Sequence, residues 1–486
     1  MSATDTSILF KRVIETPLIR LPLKFLLRRD RAYNKTYLEL GIAAMYNEIN
    51  AKKNPLIFLS KKVVELLLNF AVKVFEADKE EKLEDLKKPY NRRGLVNILK
   101  GLTIFGVKKP FVPSAPFLIV WDYTYRCNLR CKHCYINAGL ENRKEMTLDE
   151  KRKVLDIMAD AGVVSIAFSG GEPLMGVGIF EMIKRATDYG MYTAIATNGT
   201  LITEEVAVKL KKAGLGYAQI SLDAPVPSVH DEFRGIPGVW ERTVRGIKNA
   251  KKAGITVEVS MTVTKYNLHL VDKMIELLKE LGVDYFMHFN FIPTGRGKNI
   301  VEMDISPSER EKLLRSLALR LYSKDMIPTL STAPQFSRIT LQLGQELCSD
   351  ETILGGHFYG FDSGKKAKDV AEFIGGCGAG RLYIALEPNG DIQPCVFLPL
   401  KVGNILEDNF VDLWINSPVF NTLRNRDLLK GRCGKCPYKY ICGGCRARAY
   451  AYFGDITAPD PGCIYNKDEW EKVKGRLEKT ITVTSF

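Results

Sequence analysis

The chain has 486 residues, too many for one ordinary core, so two or three domains are expected. With 46% hydrophobic and 26% charged residues the composition is globular, and no uncharged run reaches the roughly 20 residues that span a bilayer. The net charge of +14 is uneven: residues 1–110 hold 22 Lys and Arg against 12 Asp and Glu, which suggests an anionic partner for that end.

Residues 1–115 read as a basic, mostly helical segment. Ile8 to Arg31 mixes Leu and Phe with seven Lys and Arg and is interrupted by Pro17 and Pro22. A longer helix over Leu56 to Val74 carries Leu59, Val63, Leu66, Leu67 and Phe70 on one face. Phe75 to Lys88 is highly charged and reads as a solvated helix or linker. Such helices either cap the body of the protein or lie on a membrane surface. No small-residue cleavage site follows a short apolar core, so no signal peptide is read. No aromatic-basic RNA motif appears, so a nucleic-acid partner is not expected.

From residue 116 to 306 short apolar strands alternate with longer amphipathic helices. Strands are expected near Leu118–Tyr123, Val164–Ser169, Tyr192–Thr197, Tyr217–Asp223, Ile255–Thr264 and Tyr285–Ile292. Helices are expected near Leu148–Ala161, Phe180–Tyr189, Glu204–Ala213, Val239–Ala253 and Leu270–Leu281. Six βα units in series predict an α/β fold, a partial (β/α)6 barrel with chemistry at the C-terminal strand ends. Residues 307–376 read as a less regular connection. Residues 377–486 are rich in Cys, Gly and Pro, with a last helix expected over Glu469–Glu478.

Eleven cysteines in C-x2-C spacings favour metal or cluster ligands over disulfides, and hence a reducing, cytoplasmic compartment. Cys127, Cys131 and Cys134 stand in a C-x3-C-x2-C run directly after the first strand. Three thiolates can hold three irons of a [4Fe–4S] cluster and leave the fourth open to a small chelating molecule. A structural zinc site is the alternative chemistry for such thiols. The second strand ends in Ser169-Gly170-Gly171-Glu172-Pro173, the third in Thr197-Asn198-Gly199 and the fourth in Ser221-Leu222-Asp223.

This ordered series, over about residues 118–297, resembles the radical S-adenosylmethionine (SAM) enzymes. The resemblance implies a SAM-binding [4Fe–4S] cluster on Cys127, Cys131 and Cys134. It also implies that SAM is bound by Gly170, Gly171 and Glu172 at its amino group, by Ser221 and Asp223 at its ribose and by Arg234 at its carboxylate. His133 and the Ile292-to-Gly297 region would lie near the adenine. The implied reaction is reductive cleavage of SAM to a 5′-deoxyadenosyl radical that abstracts hydrogen from an unreactive carbon.

Further on, Cys377, Cys395, Cys433, Cys436, Cys442, Cys445 and Cys463 resemble the SPASM extension of radical SAM maturases, which holds two auxiliary [4Fe–4S] clusters. Family analogy assigns Cys433, Cys436, Cys442 and Cys463 to one and Cys377, Cys395 and Cys445 to the other. Here Gly443-Gly444 puts two residues between Cys442 and Cys445, where the family usually has three, so the sharing of that pair stays open. Two fully ligated auxiliary clusters need eight thiolates, which makes Cys348 the candidate eighth; a free buried thiol is the alternative. His357 stands between barrel and SPASM, where it either faces substrate or is an ordinary loop histidine.

The substrate is not given by any motif. A membrane lipid suits the basic N-terminus, and the family offers peptides, proteins and heme-type tetrapyrroles. A ferredoxin or flavodoxin is the expected reducing partner, and peripheral contact with the inner face of the membrane is expected of the basic end. A non-enzymatic iron–sulfur carrier is the reading of another class, but the SAM-site motifs would then have no purpose.

Overall fold

The computed structural model describes residues 17–474 apart from 34, 76–78, 140–142, 323–326, 348–352, 356–359 and 363–366. Cys348 and His357 therefore lie outside the described residues, as do residues 475–478 of the last expected helix, whose described part runs over 467–474.

Among the described residues the N-terminal segment forms five α-helices: α1 (Pro17–Leu26), α2 (Tyr37–Met45), α3 (Pro55–Phe75), α4 (Lys79–Lys87) and α5 (Pro89–Phe105). Leu26, Leu38, Ile42, Val64, Leu86 and Val96 form a small core of their own. Helix α3 buries Ile57, Ser60 and Val64, not the face carrying Leu59 and Leu66, which are 49% and 70% exposed. That helix is apolar on two faces. The choice falls to the Ser60 side because Gly41 lets α2 approach until a Cβ there would lie 2.9 Å from the Ser60 backbone. The side chains of Leu67 and Phe70 lie outside the described residues. The cluster is a cap on the barrel. Arg93 donates to the carbonyls of Ala159, Val163 and Tyr189, and Asn97 to those of Ala115 and Gly162. Helix α5 thus closes the N-terminal end of the strands.

Six parallel strands follow where the alternation places them: β1 (Leu118–Thr124), β2 (Ser165–Gly170), β3 (Tyr192–Thr197), β4 (Tyr217–Ser221), β5 (Thr256–Val263) and β6 (Tyr285–Asn290). Their helices are α6 (Leu148–Ala161), α7 (Ile179–Asp188), α8 (Glu204–Lys212), α9 (Pro227–Arg234), α10 (Val239–Lys252) and α11 (Val271–Glu280). Thr147 and Glu150 make a reciprocal capping box that fixes the start of α6. Helix α9 is an addition to the sequence reading. Pro227 at its first turn starts it, and His230, Phe233 and Arg234 at three- and four-residue spacing form its buried face.

The sheet is larger than six strands. Residues 307–376, expected to be irregular, contain α12 (Pro307–Leu321) and α13 (Gln335–Glu346), with β7 (Thr329–Ser331) between them pairing parallel to β6. Ser306 and Glu309 form the capping box that starts α12. On the other edge β8 (Tyr383–Leu386), from the cysteine-rich region, pairs parallel to β1, and β9 (Asp391–Gln393) and β10 (Gly403–Asn404) add antiparallel to it. The result is a ten-stranded sheet in the order β10-β9-β8-β1-β2-β3-β4-β5-β6-β7. The cysteine-rich region is therefore built directly onto the barrel wall. Among the described residues no helix is long and apolar enough to cross a membrane.

Candidate functional site

The loop after β1 carries Cys127, Cys131 and Cys134, and all three line one cavity of about 1010 Å³ inside the barrel. The loop is held from several sides. Arg130 and Lys132 donate their N–H groups to the carbonyls of Arg234 and Phe233. Arg296 donates from Nε to the Cys131 carbonyl and from Nη1 to that of Ala138, each at 2.8 Å. Gly295 is required at φ +54°, where a Cβ would lie 2.4 Å from the carbonyls of Cys134 and Tyr135. The Ile292-to-Gly297 segment thus braces the loop. Burial pushes the Cys127 thiol up to about 12 and that of Cys131 upward, so they stay protonated unless a cation takes them.

The glycines of the Gly-Gly-Glu-Pro turn serve the same contact. A Cβ on Gly171 would lie 2.1 Å from the Arg126 carbonyl, and Gly170 sits at φ +112°. The close approach they permit is to the backbone of the Cys127 loop, with both glycines still lining the cavity. The Glu172 carboxylate is not turned to the cavity as the resemblance implied. It accepts from the Thr197 hydroxyl at 2.8 Å and the Asn198 N–H at 2.9 Å, and burial raises it to about 7. Ser221 faces the cavity. Asp223 instead accepts from Arg234 Nε at 2.7 Å and the Thr262 N–H at 2.9 Å. Against the upward pull of burial, the Arg234 guanidinium and the Thr262 N–H hold its carboxyl below the ordinary range. Arg234 lines the cavity and reaches to 3.7 Å from Cys131 Sγ. His133 stacks on Phe233 at 4.3 Å, its Nδ1 buried without a partner, and burial pushes the ring down to about 3. Phe233 went unnoticed in the sequence; its spacing from His230 on one helix face is the signal that marks it.

The C-terminal cysteines fall into two groups. Cys395 and Cys445 are packed together with Cys377 and line the far wall of the same cavity. Cys442 lies near Cys463 and Cys433, and Cys433 near Cys436; burial first, and then these neighbouring thiols, push Cys436, Cys442 and Cys463 upward. The tight turn between Cys442 and Cys445 has Gly443 at φ +71° and Gly444 at φ +64°, and so sends neighbouring thiols into different groups. Sulfurs in both groups accept hydrogen bonds: Cys395 from the Tyr383 hydroxyl at 3.1 Å, Cys445 from the Arg448 N–H, Cys442 from the Gly444 N–H and Cys433 from the Asp460 N–H. No disulfide joins any of the ten described cysteines. Among the described residues no three Cys, His, Asp or Glu side chains converge as for a single metal ion.

Between the two thiol walls the cavity is lined by aromatic and aliphatic residues. Tyr135 meets Phe397 edge to face at 5.3 Å, Phe289 meets Phe397 at 6.4 Å, and Ile292 and Val396 complete this wall. The floor is polar: Glu258 accepts from the Tyr217 hydroxyl at 2.7 Å and from the Gln219 amide. Burial pushes Glu258 up to about 7. Its neutral form is therefore favoured in the fold, and the stability it contributes is full below about pH 4.5 and lost as pH rises through about 7. Over that window the loss is about 3 kcal/mol. Glu258→Gln removes it, so the melting temperature of that variant falls less than that of the wild type between about pH 5 and pH 8. Equal slopes would show that Glu258 is ionised in the fold throughout.

The radical SAM superfamily model matches residues 121–278, and that of the SPASM iron–sulfur cluster-binding domain matches 377–437. The AdoMet-dependent heme synthase of Methanosarcina barkeri is 37% identical over 354 residues, 72% of this chain and 97% of that protein. The mycofactocin maturase MftC of Mycolicibacterium smegmatis is 29% identical, over 72% of this chain and 83% of that one. Among solved structures, Streptococcus suis SuiB bound to S-adenosylmethionine has the same fold, with a TM-score of 0.60 at 19% identity over 84% of this chain and 89% of that one.

Proposed function

Because the chain belongs to the radical SAM superfamily, in the branch with a SPASM iron–sulfur domain, we propose that it is a radical SAM enzyme acting on a heme-type tetrapyrrole. The observation that carries the substrate is the similarity to a heme synthase over nearly that protein's whole length. The cavity suits it. About 1010 Å³ is at the upper end of small-molecule sites, roughly 300–1,000 Å³. The Phe289, Phe397 and Tyr135 wall offers faces for a flat macrocycle.

The cofactors are SAM and [4Fe–4S] clusters, including auxiliary ones, and the residues present fit them. The ten described cysteine side chains lie in three unbridged groups, the most buried of them neutral without iron, and His133 has an orphaned ring nitrogen. Cys127, Cys131 and Cys134 would hold the SAM-binding cluster; Cys433, Cys436, Cys442 and Cys463 one auxiliary cluster; Cys377, Cys395 and Cys445, with Cys348 as fourth, the other. When bound, SAM and the reduced cluster supply a 5′-deoxyadenosyl radical able to take hydrogen from an unreactive carbon. Arg234 offers its guanidinium to the SAM carboxylate, and Asp223 positions it. The Gly170–Gly171 backbone and Ser221 offer hydrogen bonds from the cavity wall. Glu172 positions Thr197 and Asn198. Arg338, Arg426 and Arg448 place positive charge beside the C-terminal thiols and offset the charge of ligated clusters. A low-potential donor such as ferredoxin or flavodoxin would supply the electron. Residues 1–115, 116–306, 307–376 and 377–486 are the corresponding cap, barrel, connection and SPASM units.

The test is an anaerobic titration of the reconstituted protein with an iron porphyrin carrying free propionates, followed by its Soret band, and with a peptide control. Saturable binding at one per chain supports the reading. Absence of binding by protein that still cleaves SAM rejects the tetrapyrrole and moves the substrate to the peptide class.

The exposed face of α3 has a partner of different chemistry. Leu56, Leu59 and Leu66 are 46%, 49% and 70% exposed on the most basic part of the chain, and Leu21 of α1 is 68% exposed. An anionic bilayer complements both features. Sedimentation with phosphatidylglycerol vesicles, but not phosphatidylcholine vesicles, is expected, and is weakened by Leu59→Glu with Leu66→Glu. Equal recovery with both vesicle types would remove the membrane contact.

A further inference from the structure

A second cleft, of about 670 Å³, opens beside the Cys127 loop between the end of β1, the start of α6 and the turn at 173–177. It shares Cys127 with the main cavity but is otherwise separately walled. Three cationic side chains line it, Arg126, Arg143 and Lys151, against one carboxylate, Glu145. That carboxylate is already satisfied: it accepts from the Thr124 hydroxyl at 2.8 Å and from the Tyr125 N–H at 2.7 Å. The basic side is not. Lys151 is only 3% exposed. Its Nζ lies 3.8 Å from the Tyr123 ring centroid and makes no hydrogen bond or ion pair among the described residues. The neighbouring first-turn acids are engaged elsewhere, Asp149 with Arg152 and Glu150 with Thr147. Arg143 stacks on Tyr125 at 3.6 Å and donates to the Ile136 carbonyl, and its Nε is buried without a partner. Arg126 is exposed at the mouth.

A largely buried ammonium with no hydrogen-bonded anion is costly, and the Tyr123 ring and the nearby Glu145 carboxylate offset only part of that. The charge is retained at little cost if the cleft is filled by an anion. The cleft also lies within the size of small-molecule sites. We propose that this cleft binds the carboxylate or phosphate group of a small acidic molecule, with Lys151 as the buried cation that meets it and Arg126 as the cation at its mouth. The anion site stands independently of the tetrapyrrole reading; only the choice of source rests on it. A propionate of the macrocycle would reach the cleft past Cys127, whereas a free phosphate compound would enter from solvent.

Two titrations of the iron-loaded full chain separate these sources. One uses an iron porphyrin with free propionates, followed by its Soret band, and the other uses inorganic phosphate, followed by calorimetry. Each is run on the wild type, Lys151→Met, Lys151→Arg and Arg126→Ala, with iron content and melting temperature as folding controls. Lys151→Met is expected to weaken at least one of the two anions tenfold or more, with Lys151→Arg restoring most of it and Arg126→Ala weakening the same anion severalfold at low salt. Weakening of the porphyrin alone assigns a substrate carboxylate; weakening of phosphate assigns a free phosphate ligand. If the wild type binds phosphate but no porphyrin, the tetrapyrrole reading fails while the cleft stands. Unchanged dissociation constants for both anions in Lys151→Met would overturn the proposal, as would the absence of both from the wild type. If Lys151→Met fails the folding controls, an unchanged Arg126→Ala does the same.

Discussion

Replacement of Cys131 by alanine brings 5′-deoxyadenosine formation down to that of a protein-free control and removes about four irons per chain. Cys131 is the most enclosed of the three loop thiols, 8% exposed, and the one that Arg234 approaches at 3.7 Å. No other described thiol belongs to that loop, so no substitute ligand stands close by. Removing it leaves two thiols for a cluster that needs three from the protein. The effect is expected to be all or none rather than graded. Cys445→Ala supplies the contrast. It belongs to the second thiol wall, so its variant loses auxiliary-cluster iron while SAM cleavage survives. If Cys131→Ala kept deoxyadenosine formation within about tenfold of the wild type, the loop would not be the site of SAM cleavage.

Asp304→Asn is expected to destabilise the protein by about 3–5 kcal/mol. Asp304 is 1% exposed and pairs with Arg310, which is equally buried. Its other oxygen lies 3.7 Å from Arg448 Nε and accepts from the Tyr452 hydroxyl at 2.9 Å. Arg448 in turn donates to the Phe291 carbonyl at 2.8 Å and lies 3.7 Å from Asp460. One carboxylate thus joins the end of β6, helix α12 and the helix that follows Cys445. Without its charge two guanidiniums remain buried with Asp460 alone. The loss corresponds to a fall of about 4 °C in melting temperature for a chain of 486 residues that unfolds as one unit. Removing the exposed pair of Lys252 and Glu204, 71% and 68% exposed, changes stability by about 0.5 kcal/mol or less. A melting temperature for Asp304→Asn within about 2 °C of the wild type would mean that the SPASM unit does not depend on this clamp.

The barrel was legible in the sequence because its strands are continuous apolar runs and its helices carry their own start signals, as Thr147 and Glu150 do for α6. The edges of the sheet were not. Thr329–Ser331 and Tyr383–Leu386 are too short to announce themselves, and they become strands only because β6 and β1 offer open edges. The site residues divide in the same way. Motif spacing brings Cys127, Cys131, Cys134, Gly170, Gly171, Ser221, Arg234 and His133 to one cavity. It could not tell that Glu172 and Asp223 turn their carboxylates to Thr197, Asn198 and Arg234, because side-chain direction at a strand end depends on neighbours from other strands. Which face of α3 is buried was not legible for the same reason: two faces are apolar, and only the packing of Gly41 on Ser60 selects one.

The central claim is SAM cleavage coupled to a tetrapyrrole. The most direct measurement is 5′-deoxyadenosine and tetrapyrrole mass, read together by liquid chromatography and mass spectrometry. The anaerobically reconstituted protein is given SAM, a low-potential reductant and an iron porphyrin with free propionates. Deoxyadenosine above the porphyrin-free rate is expected, with a porphyrin of altered mass in fixed proportion to it. Deoxyadenosine that is indifferent to the porphyrin, with the porphyrin recovered unchanged, would contradict it.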